Sequence, residues 1–113
     1  MKITNASKNT ILALRAQRAD SFIKRLIGLL GSSGLGEGEG LVLIPSNSIH
    51  SFFMRFTFDC IFLDSADTVI AVLPSFKPFR LSPLYLSACA TLELPEGVIK
   101  ASNTVPGDKI VFA

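Results

Sequence analysis

The chain has 113 residues, 49% of them apolar and only 18% charged, with a formal net charge of +2 at neutral pH. That length is near the commonest domain size and fits one domain over residues 1–113, able to bury roughly 65% of its unfolded surface without disulfide or metal staples. The composition excludes a disordered chain, and no apolar run approaches the ~20 residues of a bilayer-spanning helix. Met1-Lys2-Ile3-Thr4-Asn5 lacks the apolar core of an export signal, so the expected location is cytoplasmic.

Charge is unevenly placed. Residues 1–30 carry Lys2, Lys8, Arg15, Arg18, Lys24 and Arg25 against Asp20, a balance of +5, whereas the remainder carries five basic and eight acidic residues, −3. A nucleic acid is one partner that could use this polarity, but the cations are dispersed and the aromatics are not interleaved with them. Solvated surface is the better reading. Cys60 and Cys89 lack the CxxC spacing of a zinc clip or a thioredoxin-type site, and the expectation is two reduced, buried thiols.

In chain order, residues 2–6 and 10–17 read as two short strands around the turn Ser7-Lys8-Asn9. Asp20 fits a helix N-cap. Phe22, Ile23, Leu26, Ile27, Leu29 and Leu30 follow at helical spacing, and Gly31 is a natural stop, which predicts a helix over 20–30. Residues 31–40 are half glycine and read as a flexible loop. They are not a phosphate loop: no strand feeds them, no helix follows, and Glu37 and Glu39 would repel an anion. Leu41 to Pro45 is a continuous apolar run ended by proline, consistent with a strand buried on both faces.

The stretch Ile49 to Asp64 holds much of the aromatic mass and reads as two consecutive β-type segments. On the first, His50, Phe52 and Met54 share one face and Ser51, Phe53 and Arg55 the other, and Thr57-Phe58 breaks the run. On the second, Asp59, Ile61 and Leu63 alternate with Cys60, Phe62 and Asp64. Asp64-Ser65-Ala66-Asp67 supplies a tight reversal into Thr68 to Leu73, so these three segments are expected to form an antiparallel meander. Pro74, Pro78 and Pro83 make the next section irregular, yet Phe76, Phe79, Leu81, Leu84 and Tyr85 are too apolar for a free loop. It should lie as a lid over one end of the sheet. Ser87 to Leu94 is a further strand, a short helical turn is expected near 97–102, Pro106-Gly107 fits a type II turn, and Lys109 to Phe112 closes as a last strand. The expected fold is mainly β, a compact antiparallel barrel or sandwich of about 7–9 short strands with the helix 20–30 at one end.

Several motifs then stand in a specific order: Arg-Leu-Ile-Gly-Leu-Leu-Gly, a Gly-rich loop, Gly-Leu-Val-Leu, Ser-Ile-His-Ser-Phe-Phe-Met-Arg-Phe, Asp-Cys-Ile-Phe-Leu-Asp, Leu-Glu-Leu-Pro-Glu-Gly and Pro-Gly-Asp-Lys-Ile. Together they resemble the bacterial and archaeal family known as domain of unknown function 192, or uncharacterised protein family 0127, from about Ala19 to Phe112. The resemblance implies a compact β-rich fold with one N-terminal helix, and it carries no established reaction. It places the family's recurrent features on Arg25, Gly28, His50, Met54, Arg55, Asp59, Glu93, Gly97, Gly107 and Asp108. Thr57 stands where relatives usually have proline, and Ser46 where close relatives often have cysteine.

His50 is the lone histidine, and as a general base it would want Asp59 or Glu93 to orient it. The blander reading is a histidine bonded into the end of the sheet, and no nucleophile elbow accompanies it. One histidine with scattered carboxylates is a poor transition-metal set, so neither a metal nor a cofactor is expected. Arg55 beside Asp59 suggests a structural ion pair, and Glu93 is either solvated or paired with Arg25 or Arg80. The leading expectation is a non-catalytic module binding an unknown small molecule or protein. Its cleft would lie at the 50–59 corner, lined by His50, Met54, Arg55 and Asp59 under the lid 74–85. The rival is an acid–base enzyme such as a small hydrolase with His50 and Asp59 or Glu93. A weaker alternative is nucleic-acid binding through residues 1–30.

Overall fold

A computed structural model of the chain describes residues 1–19, 35–52 and 54–113. The β-type patterning becomes strands β1 (Ile3–Asn5), β2 (Thr10–Ala13), β3 (Arg15–Ala19), β4 (Glu39–Leu43), β5 (Phe58–Leu63), β6 (Val69–Phe76), β7 (Ala90–Pro95) and β8 (Ile110–Phe112), with one short helix, α1 (Val98–Ser102), at the expected helical turn. Three strands form a sheet in the order β2-β1-β8, and five form a second in the order β3-β4-β7-β5-β6. The fold is mainly β. The helix expected over 20–30 and residues 31–34 of the glycine-rich stretch lie outside the described residues.

The antiparallel barrel is not what forms. Among the described residues neither sheet closes on itself, and β3 runs parallel to β4, with Arg15 opposite Glu39 and Ala19 opposite Leu43. The cause is visible at Leu14, inside the stretch expected to be one strand over 10–17. The backbone N–H groups of Leu14 and Arg15 both donate to the Gly38 carbonyl at 2.8 Å. That contact ends pairing with β1 and passes the chain to the second sheet. A parallel neighbour then needs a long crossover, and the chain between Ala19 and Glu39 supplies the length.

The five-stranded sheet is covered on both faces. Val42, Ile61, Leu63, Leu92 and Leu94 pack with Ile3, Leu12, Ile99 and Ile110 on one side. Leu41, Leu43, Phe58, Cys60 and Phe62 pack with Ile49 and Met54 on the other. All six residues of β5 are buried, as a strand enclosed on both faces requires. Phe58 and Phe62, each fully buried, contribute about 1.5–3 kcal/mol apiece by burial. Asp64 Oδ1 accepts from the N–H groups of Ala66 and Thr68 at 2.9 Å, and Asp67 takes a left-handed conformation (φ 60°). These bonds close the β5–β6 hairpin where the turn chemistry predicts it.

Two expectations about this region need correction. Residues 49–52 and 54–56 are not part of a strand of the sheet; among these described residues only His50 makes an isolated bridge, to Leu81. Phe58, expected to break the run, is the first residue of β5. The three-segment meander therefore reduces to the β5–β6 hairpin, and the other edge of β5 is taken by β7, with Phe58 to Leu63 opposite Pro95 to Ala90. Further on, Gly107 (φ 96°) provides the positive φ that the Pro106-Gly107 turn demands, and β8 then pairs with β1.

Candidate functional site

The segments 47–52 and 77–85 are zipped together by their backbones. Ser51 N–H donates to the Arg80 carbonyl and Phe79 N–H to the Ser51 carbonyl, each at 2.9 Å. Ser82 N–H donates to the Ile49 carbonyl at 2.9 Å and Tyr85 N–H to the Asn47 carbonyl at 2.8 Å. The Ser51 hydroxyl, fully buried, accepts from Arg80 N–H at 2.9 Å and donates to the Lys77 carbonyl at 2.5 Å. Ser82 Oγ accepts from Ile49 N–H at 2.9 Å. The proline-rich segment thus lies down on the corner, and Tyr85 anchors it by packing on Phe62 with ring centroids 4.5 Å apart.

This pairing decides which side chains face outward. His50 stands opposite Leu81 as a non-hydrogen-bonded antiparallel pair, the arrangement that brings side chains closest. Phe52, two residues on, stacks on the half-buried His50 ring at 5.2 Å and 22°. Phe52, Phe79, Leu81, Leu84 and Leu86 are all exposed, at 41, 60, 69, 59 and 84%. Phe79 also holds φ at 59°, a conformation that a bulky side chain rarely adopts. Arg55, Lys77 and Arg80 are exposed around these residues. No acidic residue lies between Gly40 and Phe58 or between Thr68 and Leu92.

The structure does not bring all the sequence-predicted residues to this surface. Met54 is buried in the core beside Ile49, and Arg55 is exposed. Asp59 is fully buried: Oδ1 accepts from Ser75 N–H at 2.9 Å, and Oδ2 from Gly97 N–H at 3.1 Å and Ile99 N–H at 2.8 Å. It therefore stitches β6 to the start of α1, and the Arg55–Asp59 ion pair is not formed. Asp59 is opposite Leu94 while Cys60 is opposite Glu93. Because paired residues share a face, Asp59 and Glu93 point to opposite sides of the sheet. Glu93 is fully buried between Leu41 and Cys60 on the neighbouring strands, so a solvated Glu93 is also corrected. A groove of about 290 Å³ lies beside the lid, lined by Leu73, Pro74, Phe76, Lys77, Arg80 and Leu81 among others. None of His50, Met54, Arg55 and Asp59 lines it.

Other charged groups are committed elsewhere. Asn5 Nδ2 donates to Thr104 Oγ1 and to Asp108 Oδ2, each at 2.9 Å, and Lys8 Nζ reaches both Asp108 oxygens at 2.9 Å. The Asn5 amide foremost, then the Lys8 ammonium, holds the Asp108 carboxyl below its ordinary value of 3.8. The Arg15 guanidinium donates to the Glu37 carbonyl at 2.7 Å. Cys60 is buried as expected, but Cys89 is exposed, because its backbone rather than its side chain ties it to the fold: its N–H donates to the Leu63 carbonyl and its carbonyl accepts from Ser46 N–H. Among the described residues no three His, Cys, Asp or Glu side chains are grouped to hold a metal ion, and no helix is long and apolar enough to cross a membrane.

What these features define is a two-sheet β protein with an apolar, cation-flanked surface on its covering loops. Comparison with known proteins places it further. The model of the DUF192 family, described as "Uncharacterized ACR", matches residues 2–112, and the chain belongs to that family. A UPF0127 protein of Pyrococcus horikoshii is 37% identical over 114 residues, covering 96% of each chain, and one of Pyrococcus abyssi is 33% identical, covering 96% of this chain and 94% of its own. A solved structure of a protein of unknown function from Novosphingobium aromaticivorans superposes with a TM-score of 0.81 at 21% identity, over 98% of this chain and 82% of that one. A second, from Sinorhizobium meliloti, gives 0.77 at 19% identity over 97% and 89%. These two likenesses concern the fold.

Proposed function

We propose that residues 1–113 act as one non-catalytic binding module, and that its working surface is where residues 47–52 meet 77–86. His50, Phe52 and Leu81 form the middle of that surface, Arg55 stands at its margin, and Met54 supports it from the core. Asp59, on the other face of the sheet, serves it at a distance by tying β6, the strand that leads into residues 77–86, to the start of α1. The observation that carries this reading is a set of large apolar side chains held outward by a dense backbone network. A loop that needed only to cover the core would turn such side chains inward, as Tyr85 does.

The acid–base reading has less support. Asp59 has both oxygens occupied by backbone N–H groups and no access to solvent, so neither oxygen is left to orient His50. Nucleic-acid binding through residues 1–30 loses Lys8 to Asp108 and Arg15 to a loop carbonyl. The test is an NMR titration of the labelled chain against small molecules, peptides and lipid vesicles, following backbone amides and the His50 ring. Shifts gathered on residues 50–52 and 77–86 support the proposal. A ligand that shifts only amides of β1, β2 and β8 would sink it.

A further inference from the structure

We infer that the face carried by residues 50–52 and 77–86 docks on the surface of an anionic lipid bilayer. The inference rests on the binding-surface reading above and names the partner of that surface.

Three observations favour a lipid surface over a folded protein. The first is how far the apolar side chains protrude. Leu86 is 84% exposed, Leu81 69% and Phe79 60%. A side chain as exposed as Leu86 stands clear of the surface, whereas the anchors of a protein interface sit in packed, desolvated pockets. A fluid acyl region can close around a protruding leucine without a preformed hole. The second observation is charge. Arg55, Lys77 and Arg80 are exposed, and the two segments that build the face contain no carboxylate. The acidic groups that follow these segments in the chain, Asp59 and Glu93, are fully buried. Apolar residues to enter the interface with cations beside them to meet anionic headgroups are the combination that binds peripheral proteins to membranes.

The third observation is the groove of about 290 Å³. Lys77 and Arg80 line it together with the apolar side chains of Phe76 and Leu81, a setting for a headgroup phosphate whose acyl chains lie alongside. The face is also ordered in advance. Pro78 and Pro83 fix φ along the segment, and the hydrogen bonds through Ser51 hold it to residues 49–52, so little chain entropy remains to be lost on docking.

The test is sedimentation of the full chain with vesicles of phosphatidylcholine alone and of phosphatidylcholine mixed with phosphatidylserine. The expected result is binding to the mixed vesicles only, weakening as salt is raised. Lys77→Gln and Arg80→Gln should each weaken it about fivefold. Leu81→Ser combined with Leu86→Ser should weaken it at least tenfold. Ile11→Ser and Val111→Ser remove exposed apolar residues of the three-stranded sheet and should change nothing. Thermal melts confirm that each variant folds. No binding of the parent chain to mixed vesicles at low salt overturns the inference, as does binding indifferent to Leu81 and Leu86. If vesicles are ignored while a peptide or a second copy of the chain shifts the amides of 77–86, the lipid partner is wrong and the binding surface stands. If no ligand shifts those amides, both fall.

Discussion

Asp59 is the residue whose role the structure assigns most sharply, so its removal is the most informative perturbation. Its carboxylate accepts three backbone N–H groups, from Ser75, Gly97 and Ile99, at 2.8–3.1 Å, in a position with no solvent access. A hydrogen bond to a charged group contributes about 1.5–3 kcal/mol, and each N–H left buried and unpaired costs about 1–3 kcal/mol. The three losses in Asp59→Ala are not additive, because water or a small backbone shift will satisfy some of them. A total of about 3–5 kcal/mol is the expected cost, a large share of the 5–15 kcal/mol that holds a domain folded. Asp59→Asn keeps the shape but presents an NH2 where the carboxylate had a second acceptor. With its oxygen toward Gly97 and Ile99 it loses the Ser75 bond alone, so about 1–3 kcal/mol is expected. Urea unfolding followed by circular dichroism gives both values, with an unchanged slope on denaturant. The folded fraction of Asp59→Asn should bind whatever the parent binds. An Asp59→Asn protein as stable as the parent but without ligand response would refute the reasoning and return Asp59 to the site.

Other expected outcomes follow from the same geometry. The Asp108 carboxyl is held low in the folded state, so its contribution is fully present above its ordinary value of 3.8 and is lost as pH falls below 3.8 through the lowered native value. Asp108→Asn should therefore destabilise the protein at pH 7, and the difference should shrink as pH is taken below 3.8, as read by melts across that range. Phe79→Asn places a residue that tolerates positive φ where an aromatic is now held at 59°. Relief of strain at this position offsets part of whatever the ring contributes, so stability in urea unfolding should stay within about 1 kcal/mol of the parent's while binding weakens, and a larger loss of stability would show that Phe79 serves the fold. A thiol reagent should label Cys89 in the folded protein and Cys60 only after unfolding, read by mass spectrometry; equal labelling of the two would contradict their burial.

Much of the fold was legible because alternation and turn chemistry are local. β4 lies two residues earlier than expected, starting at Glu39 in the stretch read as a loop, and β5 one residue earlier, while the Asp64–Asp67 reversal, α1 and the Pro106-Gly107 turn lie where their residues predict. What was not legible depends on distant partners. The break at Leu14 is made by the Gly38 carbonyl, and nothing within residues 10–17 announces it. Parallel pairing of β3 with β4 leaves the same apolar pattern as antiparallel pairing. Residues 49–56 have the composition of a strand, but Ser51 commits the backbone of residues 49–52 to residues 77–82 and takes it away from the sheet. At the site, the apolar content of the proline-rich segment already marked it as more than a loop. Asp59 looked like a partner for Arg55 or His50 because both are near in sequence, whereas two of its three donors come from residues 97 and 99.

The most direct test of the binding face uses the absence of tryptophan from the chain. Leu86→Trp places a single indole at an exposed position of the covering segment without touching the core. Mixed phosphatidylcholine–phosphatidylserine vesicles should shift its emission to the blue and shield it from a water-soluble quencher, while phosphatidylcholine alone leaves it unchanged. Emission that stays at the wavelength of a hydrated indole, with vesicles demonstrably bound, would contradict the placement of the site.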